Sequence, residues 1–142
     1  MDMTQKEQTL LESFSSLTSE IFYEKIMLMG RQLPPFPQDE KVQENKVVGC
    51  QSLMYCLVEL TEGRLKLHVD SDALISKGLA ALVVYLYDNL TPSQALSYRP
   101  KILTSLGFFA SLSLTRLNGL ESLLKHVLKK IVCIQANLIE EK

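Results

Sequence analysis

The sequence predicts an α+β fold: a small antiparallel sheet of about three strands, helices packed mainly on one face, and a long C-terminal helix. Three observations predict it. Apolar residues recur at helical spacing before residue 34 and again after residue 72. Between those regions, residues 54–69 alternate with period two around Thr61-Glu62-Gly63. Near the end, Leu120, Leu124, Val127, Ile131, Ile134 and Leu138 form one stripe at spacings of 4, 3, 4, 3 and 4.

The first helix is expected from about Lys6 to Phe14, and a second from about Ser19 to Leu33, where Ile21, Phe22, Ile26, Met29 and Leu33 recur. Pro34, Pro35 and Pro37 stop the second, because proline lacks an N–H and disfavours helix in the residue before it. Asp39 to Lys46 reads as a solvated, charged loop. Met54, Cys56, Val58 and Leu60 then share one strand face, and Leu65, Leu67 and Val69 share the matching face of a second strand. Val47 and Val48 are expected to add a short third strand.

A helix from about Asp72 to Asp88 is apolar nearly all round, which predicts burial on most sides. Gly78 inside it costs about 1 kcal/mol relative to alanine, so close approach of other backbone is expected there. Thr91-Pro92-Ser93-Gln94 has the form of a helix start, with Thr91 as cap and Gln94 reaching back. A short helix is expected from Pro100 to Leu106, ending at Gly107. The last runs from about Thr115 to Glu140, with Lys125 and Lys129 on its outer face.

The 142 residues are read as one domain, residues 1–142, large enough for a real core. A net charge of −1 supplies no basic field for nucleic acid or an acidic membrane surface. The polar start, Met1 to Gln8, has no signal or transit pattern, and the longest apolar run, Leu79 to Tyr87, is far short of a membrane span of about 20 residues. A soluble, cytoplasmic protein is therefore expected, with neither nucleic acid nor membrane as partner.

Three cysteines, with no CxxC, argue against a disulfide framework and a structural zinc site. Cys56 falls on the apolar strand face and is expected to be inert core. Cys133 and His126 lie on one flank of the last helix, about 10 Å apart along it. Cys50 sits in an irregular segment after Gly49, which permits a tight turn with φ > 0. Spacing alone leaves it either a reactive loop thiol or a small apolar filler. Asp70-Ser71-Asp72 reads as helix capping. Lys77 and Arg116 are isolated cations, and no GxSxG, P-loop, GxGxxG or three-ligand metal spacing is present.

An ordered series of motifs runs along nearly the whole chain: Leu28-Met29-Gly30 with Leu33-Pro34; Asn45 and Val48-Gly49-Cys50-Gln51-Ser52; Asp70-Ser71-Asp72-Ala73 with Ile75 and Lys77-Gly78-Leu79; Leu86-Tyr87-Asp88 with Thr91-Pro92; and Arg116 with Asn118-Gly119-Leu120-Glu121. In this order and spacing the chain resembles the SufE family (SufE and CsdE), sulfur acceptors for cysteine desulfurases. The resemblance implies an α+β fold, no cofactor or metal of the chain's own, and docking on a PLP-dependent cysteine desulfurase of the SufS or CsdA type. It implies that Cys50 takes the desulfurase's persulfide sulfur, stimulates that enzyme, and relays sulfur to an iron–sulfur scaffold such as a SufBCD-type complex. Gly49, Gln51, Ser52, Asp72 and Arg116 would support the loop or the partner surface. The cysteine loop would tuck its thiol into an apolar pocket when free and swing out on docking, protecting it from oxidation.

Two positions depart from the family: Tyr55 stands where tryptophan is frequent, and Leu117 follows Arg116 where serine is common. The competing classes are a scaffold assembling an iron–sulfur cluster on its own cysteines, and a peroxidase-like redox protein using Cys50 alone.

Overall fold

The computed structural model describes residues 2–50, 52–97, 99–101 and 112–140. Its described elements are α1 (Met3–Ser13), α2 (Ser19–Arg31), the strands β1 (Met54–Thr61) and β2 (Arg64–Ser71), α3 (Leu74–Tyr87), α4 (Pro92–Ser97) and α5 (Leu114–Glu140). Two single-turn 3-10 helices, Gln38–Glu40 and Gln43–Asn45, lie between α2 and β1. The α+β class holds. The short helix expected over 100–106 falls mostly outside the described residues.

The sheet has two strands among the described residues, not about three. Val47 and Val48 do not build a third. That segment makes a single bridge, Lys46 to Tyr55, and the Val47 N–H donates to the Met54 carbonyl at 2.9 Å. Gly49 then turns away at φ +97°, which ends the pairing. The hairpin follows the alternation, with Cys56 opposite Val69 and Val58 opposite Leu67. Its two-residue turn puts Glu62 at φ 51° and Gly63 at φ 78°, the positive dihedrals that match the twist of the flanking strands. Met54, Cys56, Leu65, Leu67 and Val69 are buried from this face against α3 and α5. Beyond α3, Asp88 Oδ1 accepts from the Leu67 N–H at 2.9 Å and the Leu90 carbonyl from the Leu65 N–H at 2.7 Å, so the outer edge of β2 is partly covered.

α2 and α3 cross backbone against backbone. A Cβ on Gly78 would collide with the Ile26 carbonyl, and one on Gly30 would lie 2.9 Å from the Gly78 nitrogen. The close approach expected at Gly78 is found, and Ile26 is fully buried at it. α3 buries most of its sides, as its composition predicts. α1 begins at Met3, earlier than expected, because Asp2 and Gln5 form a reciprocal capping box. α2 ends at Arg31, two residues earlier than expected, ahead of the prolines. α4 opens with the anticipated box: Gln94 Oε1 accepts from the Thr91 N–H at 2.9 Å, and Thr91 Oγ1 from the Gln94 N–H at 3.2 Å.

α5 lies over β1, α3 and α4. It buries Leu120, Leu123, Val127 and Ile131. Leu124, Ile134 and Leu138 of the expected stripe are only partly buried, and Leu123, outside that stripe, is fully enclosed.

Candidate functional site

Cys50 sits on a short loop whose two ends are fixed. On the incoming side, Asn45 Nδ2 donates to the Glu40 carbonyl at 2.8 Å and to the Glu40 carboxylate at 3.2 Å, and the Val47–Met54 bond follows. On the outgoing side, Leu53 and Asp72 are joined twice: Asp72 Oδ1 accepts from the Leu53 N–H at 3.1 Å, and the Leu53 carbonyl from the Asp72 N–H at 3.2 Å. Between these clamps, Val48 is 80% exposed and Gly49 holds its positive φ. A β-carbon at Gly49 would lie 2.6 Å from Ser122 Oγ on α5, so the loop rests directly on that helix.

Ser52 Oγ and Ser76 Oγ, the latter on α3, are hydrogen-bonded at 3.2 Å, and the Cys50 thiol donates to the Gly119 carbonyl on α5 at 3.5 Å. These are the described side-chain bonds that hold the tip down. Burial pushes the Cys50 pKa above that of an ordinary thiol, and a carbonyl acceptor also favours S–H over a thiolate. Seated this way, Cys50 is a half-buried thiol whose S–H form is favoured.

Beside it opens a cavity of about 490 Å³. Met54 of β1, Leu79 and Ala80 of α3, and Leu120 and Leu123 of α5 give it an apolar floor, while Ser52, Ser76 and Arg116 supply polar groups. Arg116 is partly buried, stacks over the Tyr23 ring at 5.5 Å and donates to the Tyr23 hydroxyl at 3.3 Å. It has no carboxylate partner among the described residues.

The structure thus brings together Cys50, Ser52 and Arg116 around one cavity, while Gly49 turns the loop against Ser122 and Asp72 braces it, both outside the cavity lining. Gln51 lies outside the described residues. Asp72 does not cap α3 as its sequence context suggested: the N-cap is Ala73, with no side-chain cap bond, and the Asp72 carboxylate is turned to Leu53. Asp70 likewise pairs with Lys41 at 3.0 Å and Lys77 at 3.5 Å. Burial pushes the Asp70 carboxyl up, but Lys41, then Lys77, outweigh it and hold its pKa below the ordinary value. Lys77 is thus a cation paired with a carboxylate, and Lys41 ties the loop that was expected to be simply solvated to β2. Tyr55, at the departure from tryptophan, packs against Phe36 with ring centroids 6.1 Å apart.

Gly119, Ser122, Ser76 and Tyr23 were not singled out as site contacts from sequence. Gly119 did stand inside a quoted motif, whereas Ser122, Ser76 and Tyr23 carried no local signal.

The other two thiols are elsewhere. Cys56 is fully buried, and burial pushes its pKa up to about 12. Cys133 is exposed on α5. His126, expected on its flank, donates from Nε2 to the Cys56 carbonyl at 3.0 Å, and burial lowers its pKa. Among the described residues no three His, Cys, Asp or Glu side chains gather to hold a metal, and no helix is long and apolar enough to cross a membrane.

Comparison with known proteins agrees with this architecture. A family model described as "SufE: Fe-S metabolism associated domain" matches residues 8–131. An uncharacterised SufE-like protein of Synechocystis is 33% identical over 113 residues, covering 80% of this chain and 71% of that protein. A protein of Plasmodium falciparum named cysteine desulfuration protein SufE is 29% identical over 139 residues, 93% of this chain. The chain spans only 55% of that relative's length. A solution structure of a hypothetical protein from Thermus thermophilus superposes with a TM-score of 0.77 at 22% identity, covering 92% of this chain and 96% of that one, which establishes the shared fold.

Proposed function

The chain belongs to the SufE family, and on that premise we propose that it takes persulfide sulfur from a PLP-dependent cysteine desulfurase onto Cys50, stimulates that enzyme and relays the sulfur for iron–sulfur cluster assembly. Residues 1–142 act as one SufE-like domain in this reading, of which the family match covers 8–131. A SufS- or CsdA-type enzyme would be the donor and a SufBCD-type scaffold the receiver.

The observation that carries the proposal is the placement of Cys50: a partly buried thiol at the tip of a doubly clamped loop, next to a cavity, inside a family-wide match. The transfer itself is a thiol exchange. A Cys50 thiolate attacks the outer sulfur of the donor's persulfide, the donor's S–S bond breaks, and the electron pair leaves on the donor cysteine. No oxidant is consumed.

The resting geometry disfavours attack, because the thiol is protonated and turned to Gly119. Reaction therefore requires the tip to leave its seat. The bonds from Cys50 to Gly119 and from Ser52 to Ser76 hold it, each worth about 1 kcal/mol net. A docking partner can offset that amount. The clamps at Val47 and Leu53 then act as hinges that keep the released thiol on a short tether.

Mixing the protein with a SufS-type desulfurase and free cysteine, and measuring sulfide release, tests this reading. Wild type should accelerate release and Cys50→Ser should not. Equal stimulation by both would sink the relay.

A further inference from the structure

The cavity is much larger than a relayed sulfur atom requires. An atom of that size takes roughly one water's share of volume, about 30 Å³. The space beside Cys50 is about 490 Å³, in the range of small-molecule pockets. Its walls are also asymmetric in charge. Arg116 lines it, and among the described residues no aspartate or glutamate does. Arg116 is partly buried, and its side chain has only the Tyr23 ring and hydroxyl among its described partners. Its guanidinium has five N–H donors, and the bond to Tyr23 occupies one NH group. Serine hydroxyls at positions 52, 76 and 113 and that of Thr115 add further polar groups, over the floor of aliphatic side chains. Anion recognition, an apolar body and a reactive sulfur on the wall together specify a class of ligand.

We propose that this cavity is a subsite for a low-molecular-weight thiol bearing a carboxylate, bound through Arg116, which takes the outer sulfur from a Cys50 persulfide directly. The proposal rests on the acceptor reading above and adds a small-molecule exit for the sulfur. The incoming thiolate attacks the outer sulfur of Cys50–S–SH. A new S–S bond forms on the small molecule and the protein's S–S bond breaks, its electron pair leaving on Cys50 Sγ. The proton released by the small thiol ends on Cys50, whose S–H then donates to the Gly119 carbonyl as in the resting structure. The products are a small-molecule persulfide and the free protein thiol, with no net oxidation.

The experiment loads the full chain with inorganic polysulfide and follows loss of one sulfur mass, resolved by peptide, after addition of cysteine or glutathione. Cysteamine and 2-mercaptoethanol serve as thiols without a carboxylate. Cys133, exposed and away from the cavity lining, is the internal control. After correction for thiolate fraction, the carboxylated thiols should discharge Cys50 about tenfold faster or more than both the neutral 2-mercaptoethanol and the cationic cysteamine, as a charge-assisted contact allows. Their rates should saturate, whereas Cys133 should show neither preference nor saturation. S-Methylglutathione, which has no thiol, should slow discharge of Cys50 competitively, and Arg116→Gln should erase the preference. The competition arm needs no variant, so misfolding of Arg116→Gln cannot mask the answer. Rates linear in thiol, indifferent to the carboxylate and unaffected by the competitor would overturn the subsite. Because polysulfide replaces the desulfurase, failure of a desulfurase to load Cys50 would count against the acceptor reading and leave this test standing.

Discussion

Cys50 and Cys56 are six positions apart in the chain and differ in almost every physical respect. Cys56 is locked in β1, fully buried beneath α5, opposite Val69. Cys50 is half-seated on the outside of the same helix, held by the Gly119 contact on a tip that a further serine pair secures. Strand pairing ends just before one and encloses the other. The difference teaches that access to a thiol here is set by where hydrogen-bonded backbone stops. The glycines make the same contrast. Gly78 is required by a backbone crossing that cannot yield, and Gly49 by a turn resting on a serine side chain.

The largest effect should appear in native-state alkylation. Cys56 becomes reactive only when the core opens, which costs most of a stability of about 5–15 kcal/mol. Cys50 needs only its loop tip to lift. Site-resolved labelling with iodoacetamide should therefore show Cys50 reacting at least about a thousandfold faster than Cys56. Comparable rates would erase the contrast.

The two glycines come next. Gly78→Ala drives a methyl group into the Ile26 carbonyl and should lower global stability by about 2–3 kcal/mol or more in urea unfolding. Gly49→Ala strains a residue at φ +97° by about 1–2 kcal/mol, but only while the tip is seated. Its signature should be faster Cys50 alkylation, by about 5- to 30-fold, with little change in the global midpoint.

Much of this was legible in the residues, for local reasons. The alternation around Glu62-Gly63 specified the hairpin, because the side-chain period in a strand is two. The unfavourable placement of Gly78 inside an apolar helix announced a backbone crossing. Gly49 announced a turn, and the order of motifs around Cys50 singled out the loop. What could not be read depends on contacts distant in sequence. Asp72 looked like a cap because carboxylates suit helix N-termini, but Leu53 offers it a backbone N–H across the loop. Arg116 meets Tyr23 across 93 positions. Leu123 is buried because α5 packs on β1, α3 and α4 together, so its buried face is wider than a single stripe.

Substituting each thiol should divide stability from chemistry. Cys56→Ser places a hydroxyl among apolar side chains and should cost about 1–3 kcal/mol, while Cys50→Ser should leave the unfolding midpoint nearly unchanged. Folding raises the Cys56 pKa to about 12, so the native state keeps a proton that the unfolded chain releases earlier. Its contribution is full below the ordinary thiol range and is lost as pH rises through that range toward about 12. Denaturation curves at increasing alkaline pH should fall less steeply for Cys56→Ala than for wild type. Parallel curves would mean that burial does not hold that proton.

The smallest effect should come from the clamp. Asp72→Ala removes one hydrogen bond to Leu53 and should loosen the loop by about 1 kcal/mol, read as roughly fivefold faster Cys50 alkylation. Asp72→Asn keeps an acceptor and should stay near wild type. Equal acceleration by both would place the role of Asp72 in its charge instead.

The most direct test of the central claim is where donated sulfur lands. The protein is incubated with a SufS-type cysteine desulfurase and sulfur-labelled cysteine, quenched by alkylation, and digested for peptide mass analysis. One labelled sulfur should appear on Cys50, none on Cys56, and none on Cys133 beyond a control lacking the desulfurase. Label on Cys133 with Cys50 unmodified, or no enzyme-dependent label at all, would contradict it.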